Sequence, residues 1–82
     1  MKISRLAMND EGFIFDPETG NSYTVNETGL FILRKLKEGL SPAEISMALS
    51  EEYRVSFEEA ERDVEEFLED LKRYGLWRKS HD

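Results

Sequence analysis

The sequence predicts a small α+β domain: a three-stranded antiparallel sheet followed by three helices, winged helix-turn-helix-like in outline. Three observations carry this. Two clusters of turn formers, Asn9-Asp10-Glu11-Gly12 and Asp16-Pro17-Glu18-Thr19-Gly20-Asn21, separate short β-prone segments. After Asn26 the apolar period lengthens from two residues to three and four. Two Ser-x-x-Glu arrangements, beginning at Ser41 and Ser56, then mark the starts of two further helices. With 82 residues there is room for one core, so 1–82 is read as a single domain, its core over about 4–77 and its tail at 78–82 loose.

Taken in order, residues 4–8 are expected as the first strand, 13–15 as the second and 22–25 as the third. The two-residue period puts Phe13 and Phe15 on one face and Tyr23 and Val25 on one face, and this face is expected to be the sheet's share of the core. Asn26 is a plausible N-cap for a first helix carrying Leu30, Leu33 and Leu36, supported by Phe31, Ile32 and Leu40 and stopped by Gly39. Ser41-Pro42-Ala43-Glu44 is a capping box with proline at the first helical position, and the helix it opens should bury Ile45, Ala48, Leu49 and Tyr53. A tight connection at Arg54 and Val55 leads to Ser56-Phe57-Glu58-Glu59 and a third helix. Its apolar stripe runs Phe57, Ala60, Val64, Phe67, Leu68, Leu71, Tyr74. Gly75 suits its C′ position, and Leu76-Trp77 should fold back onto the core.

Charged residues make up 35% of the chain against about 25% in an average domain, and the net charge is −7. From Phe57 to Tyr74 eight acids face three bases, so a net −5 sits on the helix that a winged helix-turn-helix would insert into a DNA groove. Such a helix repels phosphates, which excludes nucleic acid as a partner. Part of this charge is also a solvated face that complements the helix dipole. No run approaches the roughly 20 apolar residues of a membrane span, so no membrane partner is expected. The absence of cysteine excludes disulfides, thiolate metal sites and a thiol nucleophile, and fits a reducing cytoplasm. The single histidine, His81, lies in the tail, so no catalytic triad can be assembled. Asp63, Glu66 and Asp70 read as a solvated helix surface, and the 16–21 segment lacks the spaced ligands of a calcium loop. Neither an enzyme nor a cofactor is expected.

The ordered residues Asp16…Gly20…Tyr23-Thr24-Val25-Asn26-Glu27-Thr28-Gly29, Lys37-Glu38-Gly39-Leu40-Ser41-Pro42-Ala43-Glu44-Ile45, Glu52-Tyr53-Arg54-Val55-Ser56 and Asp63-Val64-Glu65-Glu66-Phe67-Leu68-Glu69-Asp70-Leu71…Gly75-Leu76 resemble the PqqD-like family. These are the peptide chaperones of pyrroloquinoline quinone (PQQ) biosynthesis, also called RiPP precursor-peptide recognition elements. The resemblance spans 13–77. It implies a non-catalytic module that binds the leader of a ribosomally made precursor peptide and presents it to a modifying enzyme, often a radical SAM enzyme. It also implies that the peptide adds as a further strand beside the third strand, in the groove toward the third helix. Carried onto this chain, main-chain pairing falls to Ser22, Tyr23, Thr24 and Val25, and the groove wall to Asp63, Val64, Phe67 and Leu71. Val64, Phe67 and Leu71 are equally at helix-core spacing, and Tyr23 equally reads as sheet core. The acids on the third helix, among them Glu61, Asp63, Glu65, Glu66 and Asp70, favour a leader carrying Lys or Arg. A homodimer stays open. Other readings are an acidic winged-helix regulator or an assembly domain acting through protein partners, for which the third-strand edge would be covered by 4–8 or by a dimer partner.

Overall fold

Turn chemistry sets the sheet. The computed structural model describes residues 2–77, in which a 3₁₀ turn at Lys2–Arg5 leads to β1 (Ala7–Met8), β2 (Phe13–Phe15), β3 (Ser22–Thr24), α1 (Glu27–Lys37), α2 (Pro42–Tyr53) and α3 (Phe57–Arg73). The buried carboxylate of Asp16 accepts from the Glu18 N–H (2.9 Å) and the Thr19 hydroxyl (3.1 Å), which shapes the β2–β3 turn. That turn places Ile14 opposite Tyr23. β1 pairs with the other side of β2, so the order is β1-β2-β3 and all pairings are antiparallel. At the far end the Gly12 carbonyl accepts from the Val25 N–H (2.9 Å). Gly12 has φ +92°, and a Cβ there would stand 2.4 Å from the Val25 carbonyl oxygen, so this corner admits only glycine.

Two expectations are corrected here. The first strand is two residues long instead of five, because Ile3 and Leu6 are both buried. A three-residue spacing puts side chains on opposite faces of a strand but on one face of a 3₁₀ turn, which the Leu6 N–H closes onto the Ile3 carbonyl (3.2 Å). The second correction concerns the sheet's inner face. Ile14 is buried (2% exposed), whereas Phe13 and Phe15 lie on the outer face at 55% and 46%. Their partners Thr24 and Ser22 are exposed as well, while Tyr23 and Met8, both opposite Ile14, pack against the core. Phe-Ile-Phe has no polar residue to choose a face by itself, so the register chose it.

The helices follow their caps. Asn26 Oδ1 accepts from the Gly29 N–H (2.8 Å) and starts α1, which buries Leu30, Ile32, Leu33 and Leu36. Ser41 and Glu44 form a reciprocal capping box (2.8 and 3.2 Å) at α2. Within α2, Ile45, Ser46 and Leu49 are buried, and the Ser46 hydroxyl donates to the Pro42 carbonyl (2.9 Å); Ala48 and Tyr53 are half-buried. Ser56 Oγ accepts from the Glu59 N–H (3.1 Å) at the start of α3, whose Ala60, Val64, Leu68 and Leu71 enter the core. The end of α3 folds back as the cap requires: the Gly75 and Leu76 N–H groups donate to the Lys72 and Leu71 carbonyls (2.9 Å each), and Leu76 is buried. Phe57 and Tyr74, at the two ends of the predicted stripe, are exposed. No helix among the described residues is long and apolar enough to cross a membrane. The 78–82 tail and His81 lie outside the described residues.

Candidate functional site

Two hydrogen bonds give the phase of the β2–β3 ladder: Asp16 N–H to the Asn21 carbonyl and Val25 N–H to the Gly12 carbonyl, both 2.9 Å. Antiparallel alternation therefore turns the main-chain groups of Asn21, Tyr23 and Val25 toward β2 and those of Ser22 and Thr24 toward the free edge. Side chains alternate across the sheet, so Tyr23 points to the helices while Ser22 and Thr24 point outward. An extended chain laid along β3 would meet unpaired donors and acceptors at Ser22 and Thr24 and send every second side chain inward.

What waits on the inner side is a groove between β3 and α3. Its first part, a cavity of about 200 Å³, is lined by Tyr23, Thr24, Val25 and Asn26 on one wall and by Phe67, Asp70, Leu71 and Tyr74 on the other, over a floor of Ile14, Leu33 and Leu76. The Tyr23 and Tyr74 rings meet at its end, their centroids 5.0 Å apart. A second cavity, about 230 Å³, continues along the first turn of α1; Asn26, Thr28, Gly29 and Ile32 face Asp63, Glu66, Phe67 and Asp70. Asn26, Phe67 and Asp70 belong to both, and Phe67 divides them. Its ring rests on Gly29, where a Cβ would come within 2.7 Å of it.

The two cavities differ in charge. Asp70 at their junction is paired with Arg73, but Asp63 and Glu66 have no ion-pair partner among the described residues. None of the residues lining either cavity is basic. Arg62 and Lys72 line a third hollow of about 480 Å³ together with Leu68, Trp77 and the acids Glu65, Glu66 and Glu69, so Glu66 borders both this hollow and the second cavity. Among the described residues no group of three or more His, Cys, Asp or Glu is placed to hold a metal ion. The Tyr53 phenol, outside both cavities, has a pKa raised first by burial, then by the negative charges of Glu27 and Glu52 and a hydrogen bond with Glu27.

Of the positions singled out in the sequence, Tyr23, Thr24, Val25, Phe67 and Leu71 line the first cavity and Asp63 and Phe67 the second. Ser22 is on the edge without lining either, and Val64 is buried beneath the groove. Asn26, Thr28, Tyr74 and Leu76 line the groove without being among the expected site residues, and Glu66 and Asp70, expected as part of the acidic face of α3, line it as well. Asp70 and Tyr74 were legible in principle: 63, 67, 70 and 74 follow one another at helical spacing along a single stripe. Asn26 was not, because its capping role accounts for it completely.

Three comparisons bear on this groove. The family model for coenzyme PQQ synthesis protein D (PqqD) matches residues 11–76. A solved structure of lasso peptide synthetase B1 complexed with the leader peptide is similar at 33% identity and a TM-score of 0.73, over 87% of this chain and 85% of that one. TbiB1 in complex with the TbiA(β) leader peptide is similar at 31% identity and a TM-score of 0.80, over 94% and 91%. No curated protein matches the chain.

Proposed function

The chain belongs to the PqqD family, and on that premise we propose that it is a cytoplasmic, non-catalytic chaperone that captures the leader of a ribosomally made precursor peptide as a fourth strand on β3. It then presents the peptide to a modifying enzyme, a radical SAM enzyme or that of another peptide-modifying system; the similar lasso peptide synthetase B1 and TbiB1 structures each hold a leader peptide. The observation that carries this reading is the coincidence of an open strand edge at Ser22 and Thr24 with a groove on the inner side of the same strand. Main-chain pairing supplies affinity there, and the side chains of Tyr23, Val25, Phe67 and Leu71 supply the walls that accept alternate residues. Ala7–Met8 pairs on the far side of β2, so among the described residues the β3 edge is uncovered, which supports this reading over one in which 4–8 covers that edge.

A direct test uses twelve-residue peptides selected on the protein from a random display library. Thr24→Pro removes an N–H that faces the edge and none that the sheet uses. The variant should keep its far-ultraviolet circular dichroism and bind the selected peptides at least ten-fold more weakly. Methylating the peptide's backbone nitrogens should weaken binding to the unaltered protein in the same way. Binding indifferent to both changes would refute strand addition.

A further inference from the structure

The groove is not uniform along its length, and the difference has a consequence for what it accepts. The first cavity presents Tyr23, Leu71, Tyr74 and Leu76 and takes an apolar side chain. The second, past the Phe67 ring, presents Asp63 and Glu66, two carboxylates with no ion-pair partner among the described residues. Arg62 and Lys72 share the hollow beside Trp77 with Glu66, but neither forms an ion pair with Asp63 or Glu66; Lys72 is paired with Glu69 (3.0 Å) and Arg73 with Asp70. The first cavity opens on the inner side of the sheet above the buried Ile14, and the second lies past the end of β3 between α1 and α3 above the buried Ile32; the two share Phe67 and Asp70 of α3, so both lie on the helix side of a strand laid along β3. Two side chains of an extended segment reach the same side only when their positions differ by an even number.

Resting on the strand-addition reading, we infer that the groove selects a two-part motif: an apolar residue and a lysine or arginine lying two or four positions from it on the same face of the bound strand. The apolar residue occupies the Tyr23–Leu71–Tyr74 cavity, and the cation reaches over Phe67 to Asp63 and Glu66. Phe67 acts as the spacer, because Gly29 lets its ring lie against α1 instead of filling either cavity.

The peptides selected above provide the test. Those that discriminate the unaltered protein from Thr24→Pro should share a Lys or Arg two or four positions from an aliphatic or aromatic residue. In fluorescence anisotropy at low salt, replacing that cation by norleucine, which keeps the aliphatic stem, should weaken binding by up to about five-fold, as for a solvent-accessible ion pair. Moving the cation by one position should cost as much as removing it. The Asp63→Asn/Glu66→Gln protein should bind the lysine and norleucine peptides alike. Thr24-dependent peptides with no such cation, or with one whose displacement by one residue is tolerated, would overturn the motif and leave strand addition standing. If the double variant lowers the melting temperature and preserves the lysine preference, the two acids serve the α1 N-terminus and the inference is wrong. Peptides insensitive both to Thr24→Pro and to backbone methylation would remove strand addition, and the motif with it.

Discussion

The two edges of the sheet are built differently. At the β1 edge the strand is two residues long, the chain enters it from a 3₁₀ turn, and the carbonyl of Leu6 is taken by the Lys37 ammonium (2.7 Å). The Asn9 N–H to Phe13 carbonyl bond (3.1 Å) and the Ala7–Phe15 pairing give the phase on that side, so Leu6 and Met8 are the residues whose main chain turns outward. A short strand and a lysine are two of the devices by which an edge is kept from pairing with another chain. The β3 edge, three residues long, carries no lysine, and it borders a groove with an apolar end and an acidic one. On the strand-addition reading the β3 edge is the one an incoming strand would use, and a sheet of five paired positions is made directional by what closes its other side.

The comparison can be broken most severely at the corner that ends β3. Gly12→Ala forces a Cβ against the Val25 carbonyl in a left-handed conformation and should destabilise the domain by about 2–4 kcal/mol in urea unfolding, as strained backbone and a lost ladder bond together imply. A smaller but more telling effect separates neighbouring positions of β3. Tyr23→Pro removes an N–H that faces β2, so it should cost about 2–3 kcal/mol of stability, whereas Thr24→Pro should leave stability within about 1 kcal/mol and affect only peptide binding. Equal destabilisation by the two prolines would show that the ladder phase is wrong.

Gly29→Ala acts on the groove instead of the edge. The added methyl displaces the end of the Phe67 ring, which has the second cavity beside it, so peptide affinity should fall by roughly five-fold with a shift in melting temperature of only a few degrees. Unchanged affinity would mean that Phe67 does not shape the binding surface. At the closed edge, Lys37→Met removes the bond to the Leu6 carbonyl and should cost about 1 kcal/mol while sparing peptide binding. Analytical ultracentrifugation of this variant would show whether the lysine also guards the edge; the expected sign is weak self-association at high concentration.

Much of this was legible beforehand. The N-caps Asn26, Ser41 and Ser56, the fold-back at Gly75-Leu76 and the buried stripe Ala60, Val64, Leu68, Leu71 all depend on residues three to five apart, and such interactions are written in the local order of the chain. The charge on α3 and the ordered motifs of the PqqD family were visible in the same way. The face of β2 was not. Three consecutive apolar residues, Phe13, Ile14 and Phe15, satisfy either orientation, and the choice came from two turns and the pairing of Ile14 with both Met8 and Tyr23.

The sequence by itself determined which segments are helices, where each begins and ends, that the third helix carries a net −5, and that a β-prone segment and an amphipathic helix were available to face one another. Only the tertiary structure decided that β1 would take the far side of β2, that Ser22 and Thr24 would be the residues with main chain to spare, and that Tyr23 would meet Tyr74 across a groove divided by Phe67. Caps and periodicity act through bonds within a turn or two of the chain. Edge, phase and groove arise from contacts between residues far apart in sequence, whose geometry exists only once the helices have packed and the turns have set the register.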